Sequence, residues 1–465
     1  MASFSLQKDK GVRLMSTRMV ILGGGESGVG AALLAKQQGY DVFLTDESSL
    51  KEVYRNELQM AGVEFEEGKH TDENILNADE VVKSPGISEK NEWVKKIRKK
   101  GIEIISEIEL AYRFKGSSRT IAITGSNGKT TTTALTYHIC QTAGLNCAMV
   151  GNIGYSFARQ VAINPKQLYV AEISSFQLDD IKTFRPDVAI LTNITEDHLD
   201  RYEYNFENYI RSKFRIVMNQ TGDDYFIYNA DDEITMKYLK LPMAIGIEIK
   251  SNQLPITMRS EVPNGAFIKD GDMYVRTGTD FVAMSVFDFA LKGKHNQYNT
   301  MAACLAATTM EIRKEKIREA VQTFQSLEHR MEYVATVRGV EFINDSKATN
   351  VNSTWYALES MEKPTILILG GVDKGNDYSL IRDLVKDKVK AIICMGVDNR
   401  KIHEAFGNTV STIVNTGSAK EAVHAAFHFA NKGDVVLLSP ACASFDLFKN
   451  YEDRGNQFKQ AVKEL

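Results

Sequence analysis

The stretch "IAITGSNGKTTTT", residues 121–133, decides the central part of the fold, because it has the pattern of a strand, a glycine turn and the start of a helix. In such a turn, backbone N–H groups surround an anion, Lys129 reaches the terminal phosphates of a nucleotide, and Thr130 ligates Mg²⁺. The full phosphate-loop pattern has a glycine where Ile123 stands, so this loop is shorter and is entered directly from the strand. The stretch predicts an ATP-binding domain. The loop residues expected to contact ATP are Gly125, Ser126, Asn127, Gly128, Lys129, Thr130 and Thr131.

A second glycine loop lies about a hundred residues earlier, in "VILGGGESGVGAAL", residues 20–33. Gly23, Gly25 and Gly28 satisfy the pattern G-x-G-x-x-G, and Asp46 stands at the end of the next predicted strand. The pattern predicts a diphosphate at a helix amino terminus, which belongs equally to NAD or to a UDP-sugar. Alternatively, the glycines only allow the helix to pack on the strand.

Composition indicates a multidomain cytoplasmic protein. The chain has 465 residues, 43% of them hydrophobic and 25% charged, with a formal net charge of −4. This charge gives no indication of nucleic-acid binding. The five cysteines are scattered without a C-x-x-C pair, which fits a reducing compartment. The amino terminus lacks the apolar core of a signal peptide, and we expect no membrane span.

Strands alternating with helices predict an α/β fold of three domains, each with a parallel sheet. We expect a Rossmann-like domain in residues 1–107 and a P-loop ATPase-like domain in residues 108–326. The central domain is expected to carry a small extra β-sheet near residues 225–289. A second Rossmann-like domain is expected in residues 327–465.

Short motifs follow the phosphate loop in a distinctive order. They are "GNIG" (151–154), "AEISSFQL" (171–178), "TNITEDHLDRY" (192–202), "KFRI" (213–216), "GKHNQYN" (293–299), "LEHRMEYV" (327–334), "NDSKATN" (344–350), "LGGVDKG" (369–375) and "SPACASFDLFKNYEDRGNQF" (439–458). Each motif alone is weak, but their order resembles the Mur ligase family of ATP-dependent amino-acid ligases of peptidoglycan synthesis. The resemblance covers essentially the whole chain.

Within that family, "NDSKATN" and "SPACASFD" are similar to the MurD type, which adds D-glutamate to UDP-N-acetylmuramoyl-L-alanine. The resemblance implies a cytoplasmic ligase that forms an acyl phosphate with ATP and serves cell-wall biogenesis, cell shape and cell division. It implies two Mg²⁺ ions, which Mn²⁺ can replace. The first glycine loop would then hold the UDP end of the substrate. We expect a monomer whose partners are its small-molecule substrates.

The resemblance also implies roles for individual residues. Those implied for catalysis are Lys129, Glu172, His198 and Lys213, and those implied for metal contact are Thr130, Glu172, His198 and Lys213. Lys213 is expected to be carbamylated by CO₂, which requires a neutral amine and therefore a lowered lysine pKa. From the residues alone, Glu172 passes for a solvent-exposed carboxylate at a strand end, and Lys213 for a cation on a helix surface.

Binding residues follow from the same resemblance. Those implied for ATP beyond the loop are Asn296, Arg330 and Asp345, with His329 alongside. Those implied for the UDP-sugar are Gly25, Glu26, Ser27, Asp46, Ser84, Pro85, Gly86, Ile87 and Asn152, with Asn152 and His295 orienting the substrate carboxylate and phosphates. Those implied for D-glutamate are Lys347, Thr349, Lys374, Ser444 and Phe445. Glu26 is an unfavourable neighbour for a diphosphate, and Tyr451 replaces the phenylalanine common in the family.

Three rival functions remain open at this point. An NAD-dependent oxidoreductase would use the first glycine loop and leave the second unexplained. A ligase of the folylpolyglutamate synthetase type generally lacks the amino-terminal domain. A P-loop binding protein without catalysis would have no use for Glu172, His198 and Lys213 together.

Overall fold

A computed structural model of the chain describes residues 17–278, 280–325 and 327–465. Its amino-terminal part is a parallel sheet in the order β3-β2-β1-β4-β5. The strands are β1 (Arg18–Leu22), β2 (Asp41–Asp46), β3 (Glu64–Glu67), β4 (Glu80–Lys83) and β5 (Glu103–Ser106). The helices are α1 (Glu26–Gln37), α2 (Glu52–Met60), α3 (Asp72–Ile75) and α4 (Glu92–Lys99). The first glycine loop lies between β1 and α1, at the carboxyl edge of this sheet, where parallel sheets bind their ligands.

The central part is built around a second sheet, in the order β14-β13-β12-β11-β10-β9-β6-β8-β7. Its strands are β6 (Arg119–Thr124), β7 (Cys147–Gly151), β8 (Leu168–Glu172), β9 (Val188–Leu191), β10 (Tyr225–Asn229), β11 (Asn252–Thr257), β12 (Gly265–Lys269), β13 (Asp272–Thr277) and β14 (Asp280–Ser285). Its helices are α5 (Glu107–Phe114), α6 (Lys129–Thr142), α7 (Phe157–Ile163), α8 (Ser175–Asp179), α9 (Phe206–Phe214), α10 (Glu233–Leu239), α11 (Pro242–Ile245), α12 (Lys294–Thr309) and α13 (Lys314–Thr323). Strands β6, β8 and β9 are mostly apolar and buried on both faces, as parallel strands inside a sheet require.

The small extra sheet expected near residues 225–289 is not separate. Strand β10 pairs in parallel with β9 and with β11, and β11 joins β12 through only two residue pairs. The antiparallel ribbon of β12, β13 and β14 therefore continues the central sheet. The turn signals of this region are real, but edge pairing along β10 and β11 connects the ribbon to the sheet.

The carboxyl-terminal part contains a third sheet, in the order β15-β16-β20-β17-β18-β19, parallel except for β15. Its strands are β15 (Glu332–Val337), β16 (Val340–Asn344), β17 (Thr365–Leu369), β18 (Val389–Met395), β19 (Ile413–Thr416) and β20 (Val435–Leu438). Its helices are α14 (Val351–Glu359), α15 (Arg382–Lys388), α16 (Arg400–Phe406), α17 (Ala419–Phe429) and α18 (Tyr451–Lys463). The α/β class expected from the sequence is confirmed in all three parts.

The first two parts share one hydrophobic core. Helix α1 packs closely on α7, where a side chain at Gly30 would collide with Ser156 and Arg159. Val29 of α1 and Phe157 of α7 are fully buried in the same cluster. The carboxyl-terminal part has core clusters of its own. The first glycine loop and the phosphate loop are therefore held by one continuous body. Within the described residues, no helix is long and apolar enough to cross a membrane.

Candidate active site

The phosphate loop lies between the end of β6 and the start of α6, and glycine is required at both of its ends. Gly125 and Gly128 have φ values of +143° and +82°. A side chain at Gly125 would collide with Thr192, and one at Gly128 with Asn299. The segment after β9 and helix α12 thus pack against the loop, which lies at the amino terminus of α6, where helix amides bind anions.

Side chains from the end of β9 hold the loop in this shape. Asn127 N–H donates to Asn193 Oδ1 (2.9 Å), and Thr192 Oγ1 donates to the Asn127 carbonyl (2.6 Å). Ser126 Oγ donates to the Thr195 carbonyl (2.9 Å). Asn193 was not among the residues singled out in the sequence, although it belongs to the "TNITEDHLDRY" motif.

Lys129 is directed back over the loop that precedes it. Its ammonium donates to the carbonyls of Gly125 and Ser126, both at 2.8 Å. Burial lowers the pKa of Lys129, opposed by the charges of Glu172 and Asp197. The cation is thus placed at the centre of the loop, where the phosphates of a nucleotide would replace these carbonyls as its partners.

Glu172 lies at the end of β8, 1% exposed, facing the start of α6. Its Oε1 accepts from Asn152 Nδ2 (2.9 Å), while its Oε2 is buried with no hydrogen-bond partner in the described part of the chain. Burial works to raise the pKa of Glu172, but the charges of Lys347 and Lys129, together with the hydrogen bond from Asn152, outweigh it and keep the pKa below its usual value. An ionised, half-unsatisfied carboxylate therefore faces two lysines. Asn152, expected at the UDP-sugar, lies here beside Glu172.

Lys213 is the most deeply buried cation of the site, 2% exposed on α9. Its Nζ donates to the Gly125 carbonyl (2.8 Å) and to Thr124 Oγ1 (3.3 Å), and it lies over the Tyr209 ring. Burial, with the charge of Lys129, lowers the pKa of Lys213 well below its usual value. The helix-surface alternative is therefore wrong, and the burial of Lys213 favours the neutral form of its amine.

His198 begins the short 3₁₀ helix Leu199–Tyr202 and is half-exposed at the rim of the site. Its φ of +53° lies in the left-handed region, and its ring packs against Phe176 with ring centroids 5.1 Å apart. Burial, with the charges of Lys129 and Lys213, lowers the pKa of His198. A neutral imidazole is available as a ligand. Within the described residues, no group of three or more His, Cys, Asp or Glu side chains is arranged to hold a metal ion.

The carboxyl-terminal part closes over the phosphate loop. Ser353 Oγ donates to Asn127 Oδ1 (3.2 Å), and Asn352 Nδ2 lies 3.5 Å from Thr195 Oγ1. Burial lowers the pKa of Lys347 to about 8, with Glu172 acting in the opposite direction. The loop of "NDSKATN" thus places a cation opposite Glu172. Neither Ser353 nor Asn352 could be selected from the sequence, since their contact with the loop depends on how the two sheets are packed.

Two adjoining clefts open beside this contact. Together they are lined by residues singled out in the sequence, Asn127, Gly128, Thr131, His295, Asn296, Arg330 and Asp345, and also by Tyr298, Asn299, Ser353, Trp355 and Tyr356. Asp345 accepts from Met331 N–H and Ser439 Oγ, and burial raises its pKa to about 6. Arg330 Nε is buried without a hydrogen-bond partner among the described residues. Asn299, the second asparagine of "GKHNQYN", was missed, although its motif was noted.

Asn296 lies in the first turn of α12, where it donates to the Lys292 carbonyl and accepts from Asn299. One expectation for this region differs from the structure. His329, expected alongside the ribose, is buried against Gly455 and hydrogen-bonds Asn344, so it supports the core of the third sheet.

The residues expected at D-glutamate lie on loops at the carboxyl edge of the third sheet. Lys374 is exposed after β17, whereas Ser444 is buried and Phe445 exposed after β20. The two loops are joined by a bridge between Val372 and Ala443. The charge of Lys374 contributes to the lowered pKa of His198, which places this loop towards the phosphate site. Thr349 is half-buried just before α14.

The first glycine loop borders a separate cleft. Gly23 (φ +101°) and Gly28 serve internal packing, since a side chain at Gly28 would collide with the Gly23 carbonyl. A side chain at Gly25 would meet nothing within 4 Å, so this glycine faces open space. Asp46 Oδ2 accepts from Gly24 N–H (2.6 Å) and Oδ1 from Ser48 N–H (2.7 Å), so this carboxylate shapes the loop. Packing thus explains two of the three glycines, and access to the cleft explains the third.

The cleft contains all the residues expected for the UDP-sugar except Asn152. Its lining is Gly23, Gly25, Glu26, Ser27, Asp46, Glu47, Ser48, His70, Ser84, Pro85, Gly86, Ile87 and Asn91. Glu26 Oε1 accepts from Arg159 Nε (2.8 Å) and from Ser156 N–H (3.1 Å), so a buried arginine of α7 compensates its charge. This contact explains how an acid can lie beside the first glycine loop.

Comparison with known proteins shows which families and proteins this chain is similar to. Residues 17–106 match the family model described as "Mur ligase MurD-like, N-terminal domain", residues 123–307 the "Mur ligase middle domain", and residues 329–442 the "Mur ligase, glutamate ligase domain". The chain is 53% identical to a UDP-N-acetylmuramoylalanine--D-glutamate ligase of Christiangramia forsetii, over 97% of this chain and all of the relative. It is 51% identical to the protein of that name from Bacteroides fragilis, over 96% of this chain and all of the relative.

Solved structures agree on the fold. A pseudomurein peptide ligase type C from Methanothermus fervidus aligns with a TM-score of 0.61 at 20% identity, over 97% of this chain and all of that chain. The UDP-N-acetylmuramate-alanine ligase MurC from Thermotoga maritima aligns with a TM-score of 0.62 at 16% identity, over 96% of this chain and 99% of that chain.

Proposed function

Because the chain belongs to the Mur ligase family, we propose that it joins D-glutamate to UDP-N-acetylmuramoyl-L-alanine at the expense of ATP. The observation that carries the proposal is the meeting of Lys129, Glu172 and Lys213 at the phosphate loop, with Lys347 opposite. This is a site for moving a phosphoryl group between anions, and relatives at about half identity are named as D-glutamate ligases. An oxidoreductase has no use for such a cluster.

The reaction has two steps. A carboxylate oxygen of the UDP-sugar substrate attacks the γ-phosphorus of ATP, and ADP leaves. The D-glutamate amine then attacks the acyl carbon of the resulting acyl phosphate and loses a proton, and inorganic phosphate departs. Negative charges crowd together in the first step, so cations fixed in place lower its barrier most. Lys129 and Lys347 are the cations that this chain places there.

The donor groups at the loop fit a hard divalent cation. Glu172 Oε2 is ionised, buried and without a hydrogen-bond partner among the described residues, and Thr130 is buried in the first turn of α6. Both supply oxygen, which Mg²⁺ prefers. When bound, Mg²⁺ supplies charge neutralisation between the phosphates. We assign Thr130 and Glu172 to one ion and His198 and Lys213 to a second, with Mn²⁺ as a substitute.

Lys213 acts as a carbamate in this proposal. Its neutral Nζ attacks the carbon of CO₂ and releases one proton, which leaves an N-carboxylate. Burial beside the Lys129 ammonium supports this step, since both features favour the neutral amine and the second stabilises the anion formed. The product turns a buried nitrogen into an oxygen ligand.

The first cleft is the proposed site for the UDP end of the substrate. Gly25 faces open space at the amino terminus of α1, and its N–H lies where helix amides bind phosphate. Glu26, Ser27, Asp46 and the loop 84–87 line the same cleft. We place Asn152 at the far end of the substrate, next to Glu172, where the carboxylate would be activated.

The carboxyl-terminal loops would bind D-glutamate through Lys347, Thr349, Lys374, Ser444 and Phe445. Asn296, Arg330 and Asp345 would contact ATP. Domains spanning 1–107, 108–326 and 327–465 fit this division of labour. Closure of the third domain excludes water that would hydrolyse the acyl phosphate. We further assign the chain to the cytoplasm, as a monomer serving cell-wall biogenesis, cell shape and cell division.

Phosphate release tests the function. Purified protein is given Mg²⁺-ATP and UDP-N-acetylmuramoyl-L-alanine, with D-glutamate, L-glutamate or no amino acid. We expect release only with D-glutamate, together with a UDP-linked amide product detected by mass. Release with L-glutamate, or none under any pairing in a protein that binds both nucleotides, would reject the substrate assignment.

A further inference from the structure

Arg201 joins two parts of the molecule that are far apart in sequence. Its guanidinium donates to three successive carbonyls of the loop after β4: to Gly86 from one nitrogen (3.1 Å), and to Pro85 and Ile87 from the other (both 3.2 Å). This loop lines the first cleft, whereas Arg201 belongs to the motif that carries His198. A planar, five-donor guanidinium suits such a convergent set of acceptors, and an ammonium does not.

Arg201 and His198 also pack on the same aromatic ring. The guanidinium lies 4.2 Å from the centroid of the Phe176 ring, and the His198 ring lies 5.1 Å from it. The Arg201 N–H donates to the His198 carbonyl (3.0 Å), which closes the turn between them. A displacement of Arg201 would therefore be passed directly to the imidazole.

The segment that carries His198 is held in a strained backbone. His198, Glu203 and Tyr204 have φ values of +53°, +57° and +55°, a region that non-glycine residues rarely adopt. Such conformations persist only where surrounding contacts impose them. Besides Arg201, the amino-terminal part supplies Lys90, whose Nζ donates to the Asp200 carbonyl (2.8 Å). The segment is thus fixed from the side of the first cleft.

The hydrogen bonds from Arg201 also orient the loop after β4, which lines the first cleft. A peptide carbonyl and the N–H of the same peptide point in opposite directions. The Pro85 carbonyl faces Arg201, so the Gly86 N–H points away from it, and no hydrogen bond from that N–H occurs within the described residues. Arg201 therefore holds the loop with a donor available to a bound diphosphate.

We propose that Arg201 is a positioning residue that couples the UDP-binding loop to His198. Binding of the UDP end of the substrate in the first cleft stabilises the loop after β4. The carbonyls of this loop in turn hold Arg201, and Arg201 sets the position of His198 at the phosphate site. The inference rests on the proposed function, and it adds a residue that touches neither phosphate loop nor carboxylate.

The test compares Arg201→Met, which keeps the stem on Phe176, with Arg201→Lys, which keeps the charge. Arg318→Met is the matched control, because Arg318 likewise donates twice to a carbonyl, that of Ala283, far from both sites. Calorimetry measures the Kd of UDP alone and of ADP alone. Steady-state assays measure kcat and the KM of each substrate.

For Arg201→Met we expect about tenfold weaker UDP binding, from the loss of charged hydrogen bonds, and about tenfold lower kcat. The Kd of ADP and the KM of D-glutamate should stay unchanged. Arg201→Lys should lose about threefold in UDP binding, and Arg318→Met nothing. Should the Met variant not fold, the Lys variant carries the test. Unchanged UDP binding in a folded Arg201 variant would overturn the proposal.

A double variant tests the coupling. If Arg201 acts on kcat through His198, then Arg201→Met should add little to the kcat loss of His198→Ala, because coupled residues are not additive. Additive losses would overturn the proposal. Failure of the proposed function itself is distinct, since the unmodified protein would then release no phosphate with D-glutamate, whereas UDP calorimetry would still report on Arg201.

Discussion

The two glycine loops of this chain have the same backbone plan and different chemistry. Each follows a buried parallel strand and opens a helix. The phosphate loop is enclosed by Thr192 and Asn299 and has Lys129 at its centre, whereas Gly25 of the first loop faces open space. The lining described for the first cleft includes no lysine or arginine. The comparison shows that a glycine loop provides a site for an anion, whereas the side chains around the loop determine whether a reaction can be catalysed there.

The largest expected effect concerns the cation of the phosphate loop. Lys129→Met should lower kcat about 1,000-fold, since a fixed charge on the transferring phosphoryl group is lost. ADP binding should weaken, while UDP binding, measured by calorimetry, should be unchanged. A parallel loss of UDP binding would mean that the two loops are not separate sites.

Variants of Lys213 test the carbamate proposed at the phosphate loop, which has no counterpart at the first loop. Lys213→Ala should lower kcat about 100-fold, because the carbamate oxygens are removed. Added acetate should restore part of the activity by occupying the space left, with chloride as the salt control. Lys213→Arg keeps a long basic side chain but cannot be carbamylated, so it should be inactive and not rescued. Full activity of Lys213→Arg would contradict the carbamate.

The glycines of the first loop separate binding from folding. Gly25→Ala places a methyl group in open space and should raise the KM of the UDP substrate about tenfold, with no change in melting temperature. Gly28→Ala collides with the Gly23 carbonyl and should lower the free energy of unfolding by about 1–3 kcal/mol. Equal effects of the two changes on melting would show that Gly25 also packs internally.

The smallest expected effect concerns the packing of α5 against α7. Glu107 is fully buried there and accepts from the Ala158 N–H of α7, and burial, reinforced by Glu26, raises its pKa to about 8. The folded protein therefore holds a proton that the unfolded chain loses near the ordinary glutamate pKa of 4.5, and stability falls as pH rises from about 4.5 to about 8. Glu107→Gln should melt about 2–4 °C higher than the unmodified protein at pH 8.5, and equally at pH 5.

Glu109 on the same helix is the matched control. It accepts from the N–H groups of Lys182, Thr183 and Phe184 as a carboxylate, and these bonds lower its pKa although burial opposes them. Glu109→Gln should therefore destabilise the protein at pH 8.5. The same sign for both variants would contradict the assignment of charge at Glu107.

The sequence predicts what lies at strand ends and misses what depends on packing between sheets. Glu172 and the phosphate loop could be placed together, because the carboxyl ends of parallel strands share one edge. The partner of Glu26 could not, since Arg159 lies on a helix of another sheet. The antiparallel ribbon β12–β14 was expected apart from the central sheet because turn signals do not show edge pairing.

The buried state of Lys213 shows the same limit. In "YIRSKFRI" nothing distinguishes it from a surface cation, and only its contact with the Gly125 carbonyl reveals its place. The sequence selected His329, which packs inside the third part, and missed Asn299, which lies at the phosphate loop. The position of each side chain depends on which face of its segment meets the neighbouring layer.

The most direct test of two loops for two nucleotides is a calorimetric titration with UDP, in the absence and in the presence of saturating ADP. We predict that UDP binds at one site per chain in both cases, since the two clefts have separate linings. Competition between UDP and ADP would contradict this account, because both nucleotides would then occupy one site.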